Sequence, residues 1–195
     1  MKKAIGLVVV LACASLASAD LIVLRDLTPD TDLSPRAGVT YDGRDATGSL
    51  YTGVNHGYNV VDANIMHDGN FLDISDDTIQ VTLRYSSEIP GDAGFWVRFY
   101  TGTWNGTSYA FGGWANVFFL VPNDDQWYTF QKNVADFDQP FGDPAQYQTI
   151  YKYRVDAVVW GASPEQPVHF GVGSIPEPAT LALLALGTLC LYRRR

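Results

Sequence analysis

The stretch Thr78-Ile79-Gln80-Val81-Thr82-Leu83-Arg84-Tyr85 alternates apolar and polar residues without a break, a two-residue period that no helix satisfies. Successive side chains of a strand point to opposite faces. Ile79, Val81, Leu83 and Tyr85 therefore share one face, and Thr78, Gln80, Thr82 and Arg84 the other. The pattern recurs in short runs over Leu21–Arg25, Phe95–Thr101, Trp114–Val121, Trp127–Asn133, Val155–Trp160 and Val168–Val172. Turn-forming residues punctuate the runs at Gly91-Asp92-Ala93-Gly94, Pro122-Asn123-Asp124-Asp125 and Ser163-Pro164-Glu165. Strands at this spacing, with almost no helical periodicity between them, predict an all-β sandwich.

The two ends of the chain follow other rules. Lys2 and Lys3, the apolar run Ala4–Leu16 and the small residues Ala17-Ser18-Ala19 read as a signal peptide over residues 1–19, cut by signal peptidase before Asp20. An alternative cut would acylate Cys13, but Leu11 suits a lipobox poorly and the apolar run would be very short. At the other end, Pro176-Glu177-Pro178 precede an apolar run from Ala179 to Tyr192 and then Arg193, Arg194 and Arg195. A backbone inside lipid must satisfy its own amides, so this run is predicted to be one hydrophobic transmembrane helix starting near the prolines. Its fourteen residues at about 1.5 Å each reach about 21 Å, short of a hydrocarbon core of about 30 Å, which suits a transient anchor. The arginines are expected to stay on the cytoplasmic side.

Residues 175–195 resemble the PEP-CTERM sorting signal of Gram-negative envelope proteins, on the triplet Pro176, Glu177, Pro178, the helix and the cluster Arg193, Arg194, Arg195 in that order. The resemblance implies an exosortase substrate: exported, held in the inner membrane by its tail, cut near the triplet and released to the outer envelope or extracellular matrix.

Between the ends lies one predicted domain, residues 20–174, with no cysteine and hence no disulfide. Taking Glu177 from the 21 acidic residues, and Lys2, Lys3 and Arg193–Arg195 from the 13 basic ones, leaves 20 and 8, a balance near −12. Such a charge argues against nucleic acid and anionic lipid as partners. Within the domain, Trp127-Tyr128-Thr129-Phe130, Val134-Ala135-Asp136-Phe137, Arg154-Val155-Asp156-Ala157-Val158 and Val168-His169-Phe170-Gly171-Val172 resemble the jelly roll of galactose-binding-like carbohydrate-binding modules. Phe71-Leu72-Asp73-Ile74-Ser75 fits the same pattern weakly, and residues 26–60 fit none. The resemblance implies a single jelly-roll-like β-sandwich more strongly than it implies a ligand.

No catalytic constellation emerges. His56, His67 and His169 are dispersed and read as surface or structural residues, and no Gly-x-Ser-x-Gly elbow marks a nucleophile. The domain holds two glutamates, Glu88 and Glu165, both in expected turns, which is a poor start for a glycosidase, although aspartates can replace them. The expectation is a protein that is not an enzyme.

Two features bear on binding. Trp104-Asn105-Gly106-Thr107-Ser108-Tyr109-Ala110-Phe111-Gly112-Gly113-Trp114 reads as a loop or hairpin rich in aromatics. Its alternation first marks Tyr109, Phe111 and Trp114 as core or edge-covering residues. It is also the candidate glycan-binding stretch, with Trp104, Tyr109 and Trp114 as stacking platforms and Asn105 or Thr107 as hydrogen-bonding groups. The aspartate clusters Asp30-Thr31-Asp32, Asp42-Gly43-Arg44-Asp45 and Asp73-Ile74-Ser75-Asp76-Asp77 read first as turn formers and solubilising charge. A structural calcium is common in the modules resembled, and Asp73 and Asp156 are its candidates here. No other cofactor is implied. The leading reading is a non-catalytic surface or matrix protein that contacts exopolysaccharide. The alternatives are a divergent glycan-active enzyme, glycosidase or lyase, and a purely structural surface protein.

Overall fold

The computed structural model describes residues 21–24 and 33–173. The expected signal peptide, the sorting tail, Arg25 and the Asp30-Thr31-Asp32 cluster lie outside the described residues. Eleven strands are β1 (Leu21–Val23), β2 (Ser34–Pro35), β3 (Val39–Arg44), β4 (Gly48–Gly53), β5 (Gly57–Asn64), β6 (Thr78–Ser87), β7 (Ala93–Trp104), β8 (Tyr109–Val121), β9 (Trp127–Asn133), β10 (Ile150–Val159) and β11 (Val168–Gly173). They form two sheets. One runs β1-β6-β11-β4-β3 with β9 on the other edge of β6, and the second runs β2-β5-β10-β7-β8. All pairings are antiparallel except β1 with β6. From β4 onward the chain crosses from one sheet to the other at nearly every connection, only the β7–β8 hairpin staying within its sheet. This is the jelly-roll-like β-sandwich expected.

The alternation read from the sequence decides which face is buried. Ile79, Val81, Leu83 and Tyr85 of β6 have no exposed surface, and neither have Phe95, Val97 and Phe99 of β7 or Tyr153, Val155 and Ala157 of β10. Val168, Phe170 and Val172 complete the inner face of β11, with Phe170 stacked on Tyr51 at 5.4 Å. Burying each such large apolar side chain contributes roughly 1.5–3 kcal/mol. Val134, Phe137, Phe141 and Tyr147, carried on two short 3-10 turns (Val134–Asp136 and Pro144–Gln148) and the segment between them, add to the same core, and Phe137 stacks on Phe99 at 5.6 Å.

Strands β3, β4 and the first half of β5 lie within residues 26–60, the stretch that fits no pattern in the sequence. β3 is a largely exposed edge strand, interrupted by an irregularity between Tyr41 and Gly43. β4 begins and ends in glycine, and Gly48 lies so close to Gly173 that a Cβ would come within 2.5 Å of its Cα. β5 turns Asn59 inward, where its Oδ1 accepts from the Asn55 amide (2.9 Å) and its Nδ2 donates to the Asn55 carbonyl (3.2 Å). A buried, satisfied amide and glycines in place of branched residues both break the alternation that marks a strand.

Candidate functional site

The outward positions of the five-stranded sheet form a track whose middle is buried at Asn116, Val60 and Asp156. Register places Trp96 opposite Phe118, Arg98 opposite Asn116, Tyr100 opposite Trp114, Gly102 opposite Phe111 and Trp104 opposite Tyr109, all on the side away from the core. The neighbouring strand β10 contributes Lys152, Arg154, Asp156 and Val158, and β5 contributes Tyr58, Val60, Asp62 and Asn64. Trp96 to Trp104 spans eight residues, or about 26 Å at about 3.3 Å per residue.

One end of the track is aromatic. Trp96 and Phe118 lie with ring centroids 4.8 Å apart, and Trp160 meets both Tyr58 (6.1 Å) and His56 (5.4 Å) edge-on. Tyr58, Phe118, Leu120 and Trp160 are all exposed.

The middle is cationic. Arg36 Nη2 and Lys152 Nζ both approach Asp62 Oδ2, at 2.5 and 2.9 Å. Asp156, fully buried, lies against Arg154 through Nε and against Arg98 Nε at 3.0 Å. The Arg98 contact is an ion pair without hydrogen-bond alignment, since both Arg98 Nε and Asp156 Oδ2 lack a hydrogen-bond partner. Burial pushes the Asp156 carboxyl above the usual carboxylate range, against the pull of Arg154, Arg98 and Arg36. Burial also works against the charge on Arg154, but Asp156 and Tyr100 outweigh it and hold the guanidinium protonated. Aromatic faces flank the cations: Arg98 lies 5.2 Å from the Trp114 ring and Lys152 5.8 Å from that of Tyr100.

The other end is a cleft of about 430 Å³ lined by Trp104, Tyr109, Tyr151, Asn64, His67 and Asp68, among others. Tyr109 stacks flat on Tyr151 (4.6 Å, 9°), meets Trp104 at 4.9 Å and Phe71 edge-on at 5.5 Å, and donates through its hydroxyl to the Asn70 carbonyl (2.8 Å). Trp104 packs over the Asp68–Gly69 turn. Both residues have left-handed backbone, and a Cβ on Gly69 would lie 2.7 Å from Trp104 Cδ1. Tyr151 is the extra residue at an irregularity in β10, which lets it sit beside Lys152 on the track; burial pushes its phenol upward.

Of the residues singled out from sequence, Trp104, Asn105 and Tyr109 come together at the hairpin end of the track, and Trp114 stands apart under Arg98. Asn105 is committed to its turn: Oδ1 accepts from the Thr107 and Ser108 amides (3.0 and 2.9 Å), and Nδ2 donates to Ser108 Oγ (3.1 Å). Tyr109 is enclosed by three rings, so it supports the platform more than it offers one. Phe111, beside Tyr100 at 6.0 Å, is the exposed ring of the hairpin at 63%. Asp73 and Asp156 are not neighbours. Asp73 accepts from the Ser75 amide and hydroxyl, and adjacent Leu72 bridges Ile150, six residues and about 20 Å along β10 from Asp156. Among the described residues no three His, Cys, Asp or Glu side chains are grouped to hold a metal. Sequence reasoning missed Arg98, Lys152, Arg154, Trp96 and Tyr100. Their signal was present in Trp96-Val97-Arg98-Phe99-Tyr100, whose outward positions are all large and polar or aromatic.

The outer face of the six-stranded sheet differs. Arg84 engages Asp125 through two bonds (Nε–Oδ1 2.9 Å, Nη2–Oδ2 2.7 Å) and Asp45 through Nη1 (3.2 Å), and Trp127 Nε1 donates to Asp45 Oδ2 (3.0 Å). The Arg84 hydrogen bonds hold Asp125 below the usual carboxylate range. Burial raises Asp45, but the Gly48 and Thr47 amides, Trp127 and Arg84 together bring it below its usual value. A cleft of about 290 Å³ on this side is lined by Arg84, Asp42, Asp125 and His169, among others.

Residues 174–195 match the PEP-CTERM protein-sorting motif, so the chain carries that motif. No curated protein matches the chain in sequence. Among solved structures, PfGH50B is 8% identical, with a TM-score of 0.46 over 76% of this chain and 23% of its own, so the chain spans less than a quarter of that protein's length. The family 11 carbohydrate-binding module from Clostridium thermocellum, solved in complex with a β-1,3-1,4-mixed-linked tetrasaccharide, is 12% identical, with a TM-score of 0.41 over 73% of this chain and 88% of its own. An exo-β-agarase is 11% identical, with a TM-score of 0.39 over 72% and 23%.

Proposed function

We propose that this chain is an exported, non-catalytic surface protein that is processed through its C-terminal motif and binds a glycan along the outer face of the five-stranded sheet. The observation that carries the binding reading is the track itself, in which Trp96, Phe118, Tyr100, Phe111 and Trp104 follow one another on one face over about 26 Å. A pyranose presents an apolar C–H face to a ring, and Asn64, Lys152 and Thr107 supply polar groups beside the rings. The carboxylates in the middle of the track suit holding more than hydrolysis. Asp156 has no exposed surface, and Asp62 is engaged by two cations, whereas a glycosidase needs a reachable acid and a second free carboxylate. The motif at 174–195 supports export and recognition by an exosortase-type enzyme. The proposal also has the tail as anchor, residues 1–19 removed by signal peptidase and residues 20–174 as the domain, on the sequence pattern alone.

Affinity electrophoresis of the full-length protein, solubilised in detergent, through gels containing single polysaccharides tests the binding reading. Retardation by at least one glycan, reduced by Trp104→Ala and without release of reducing ends, is expected. Reducing-end release that depends on one carboxylate would make the protein an enzyme. For sorting, the intact mass from the native host should end near Pro176 in the wild type and keep Arg195 when Pro176, Glu177 and Pro178 are all changed to alanine.

A further inference from the structure

Four of the basic residues among the described ones, Arg36, Arg98, Lys152 and Arg154, meet on the middle of the track with only Asp62 and Asp156 between them. The local balance is +2, on a chain whose formal net charge is −8. The ion pairs leave part of this positive charge uncompensated. Arg98 and Arg154 share one carboxylate, each through Nε, and Arg154 also bonds Tyr100, so it is Arg98 whose paired Nη donors are left for another acceptor. Lys152 and Arg36 share a single oxygen of Asp62, although that residue has two. Arg98 and Arg154 face each other in register on adjacent strands, about 4.8 Å apart, with Lys152 two residues further along β10. The cations thus form a row along the track, bracketed by rings at both ends.

Resting on the glycan-binding reading above, we infer that the ligand of this face is an acidic polysaccharide, its carboxylate or sulfate groups bound by Arg98, Arg154, Lys152 and Arg36 while Tyr100, Trp104 and Phe111 stack on its sugar rings. A neutral glycan would leave half-compensated cations beneath it and would have to desolvate them without return. An anionic chain supplies the missing charge and fits the planar fork of Arg98. Because the rest of the domain is acidic, it repels polyanions in general, and the row of cations acts as a selective seat within that field.

The test uses the full-length protein in detergent against polygalacturonate, dextran sulfate, neutral mixed-linkage β-glucan and polyglutamate, at low and high salt. We expect binding to polygalacturonate or dextran sulfate that weakens as salt rises, and the stronger of these two arms identifies the anionic group. Polyglutamate, a polyanion without sugar rings, should bind at least tenfold more weakly. Lys152→Gln combined with Arg36→Gln should weaken acidic-glycan binding about tenfold, as loss of hydrogen bonds to charged groups does. Asp62→Asn, which removes a competing anion, should tighten it several-fold, and a gain in affinity cannot come from misfolding. Equal, salt-insensitive binding of the neutral glucan would overturn the acidic assignment and leave the glycan reading standing. Polyglutamate binding as tightly as polygalacturonate would also overturn it. Binding to none of the polysaccharides would bring down both.

Discussion

The two outer faces of the sandwich are made from the same kind of strand and balance their charge in opposite ways. On the six-stranded sheet one arginine, Arg84, serves two carboxylates, Asp45 and Asp125, and an indole closes the group, leaving the site anionic and internally satisfied. On the five-stranded sheet four cations share two carboxylates, with exposed rings at either end. The first arrangement is a structural clasp joining β6, β9 and the turn before β4. The second holds surplus donors and flat apolar surface, the two things a sugar polymer recognises.

Breaking each face separately should expose the difference. The largest expected effect is on the cationic face: Asp156→Asn leaves Arg98 and Arg154 packed together without their buried counter-charge, and should lower stability by about 3 kcal/mol, seen as a drop of about 6–12 °C in Tm. A Tm within about 2 °C of wild type would show that those arginines swing freely to solvent. Next is the clasp. The Trp127 indole lies over Gly171 on the neighbouring part of the sheet, where a new Cβ would come 2.4 Å from Cη2, so Gly171→Ala should cost about 2 kcal/mol by chemical denaturation. Most of that loss should disappear when the same change is made in a Trp127→Leu background, and simple additivity would refute the contact.

A smaller effect is pH-dependent. Asp125 and Asp45 have folded pKa values below their ordinary range, so their contribution is fully present above about pH 4 and lost as pH falls through the lower folded values. Removing Arg84 as Arg84→Gln should therefore flatten the acid side of the stability profile below about pH 4, while leaving acidic-glycan binding at neutral pH intact. An unchanged acid slope would mean that the clasp is not what titrates. The smallest expected stability change is at Phe111→Ser, within about 0.5 kcal/mol because the ring is exposed, accompanied by several-fold weaker glycan binding.

Much of this contrast was legible in the sequence, and what was not has physical causes. The alternation of β6 placed Ile79 to Tyr85 inward and Arg84 outward, and β9 runs over Trp127–Asn133 as expected. The expected start of the β7 run at Phe95 fell short by two residues, because Ala93 and Gly94 carry the ladder into what reads as a turn. Strands β3 to β5 were invisible because glycine against glycine and the buried Asn59 break the pattern that burial normally writes. At the site, Trp104 and Tyr109 were found as aromatics in a glycine-rich stretch, but the sequence could not say that Tyr109 is enclosed by Tyr151 and Phe71 while Phe111 is bare. The cationic row escaped notice because its members come from β7, β10 and the loop after β2. Only the register of the sheet sets Arg98 beside Arg154.

Glycan binding on the five-stranded face is tested most directly by hydrogen exchange, read by mass spectrometry on the full-length protein with and without a bound polysaccharide. Slowed exchange is expected to be confined to segments of β5, β7, β8 and β10, above all around Tyr100–Phe111 and Tyr151–Asp156. Protection instead along β4, β6, β9 and β11, around the Arg84 clasp, would contradict it.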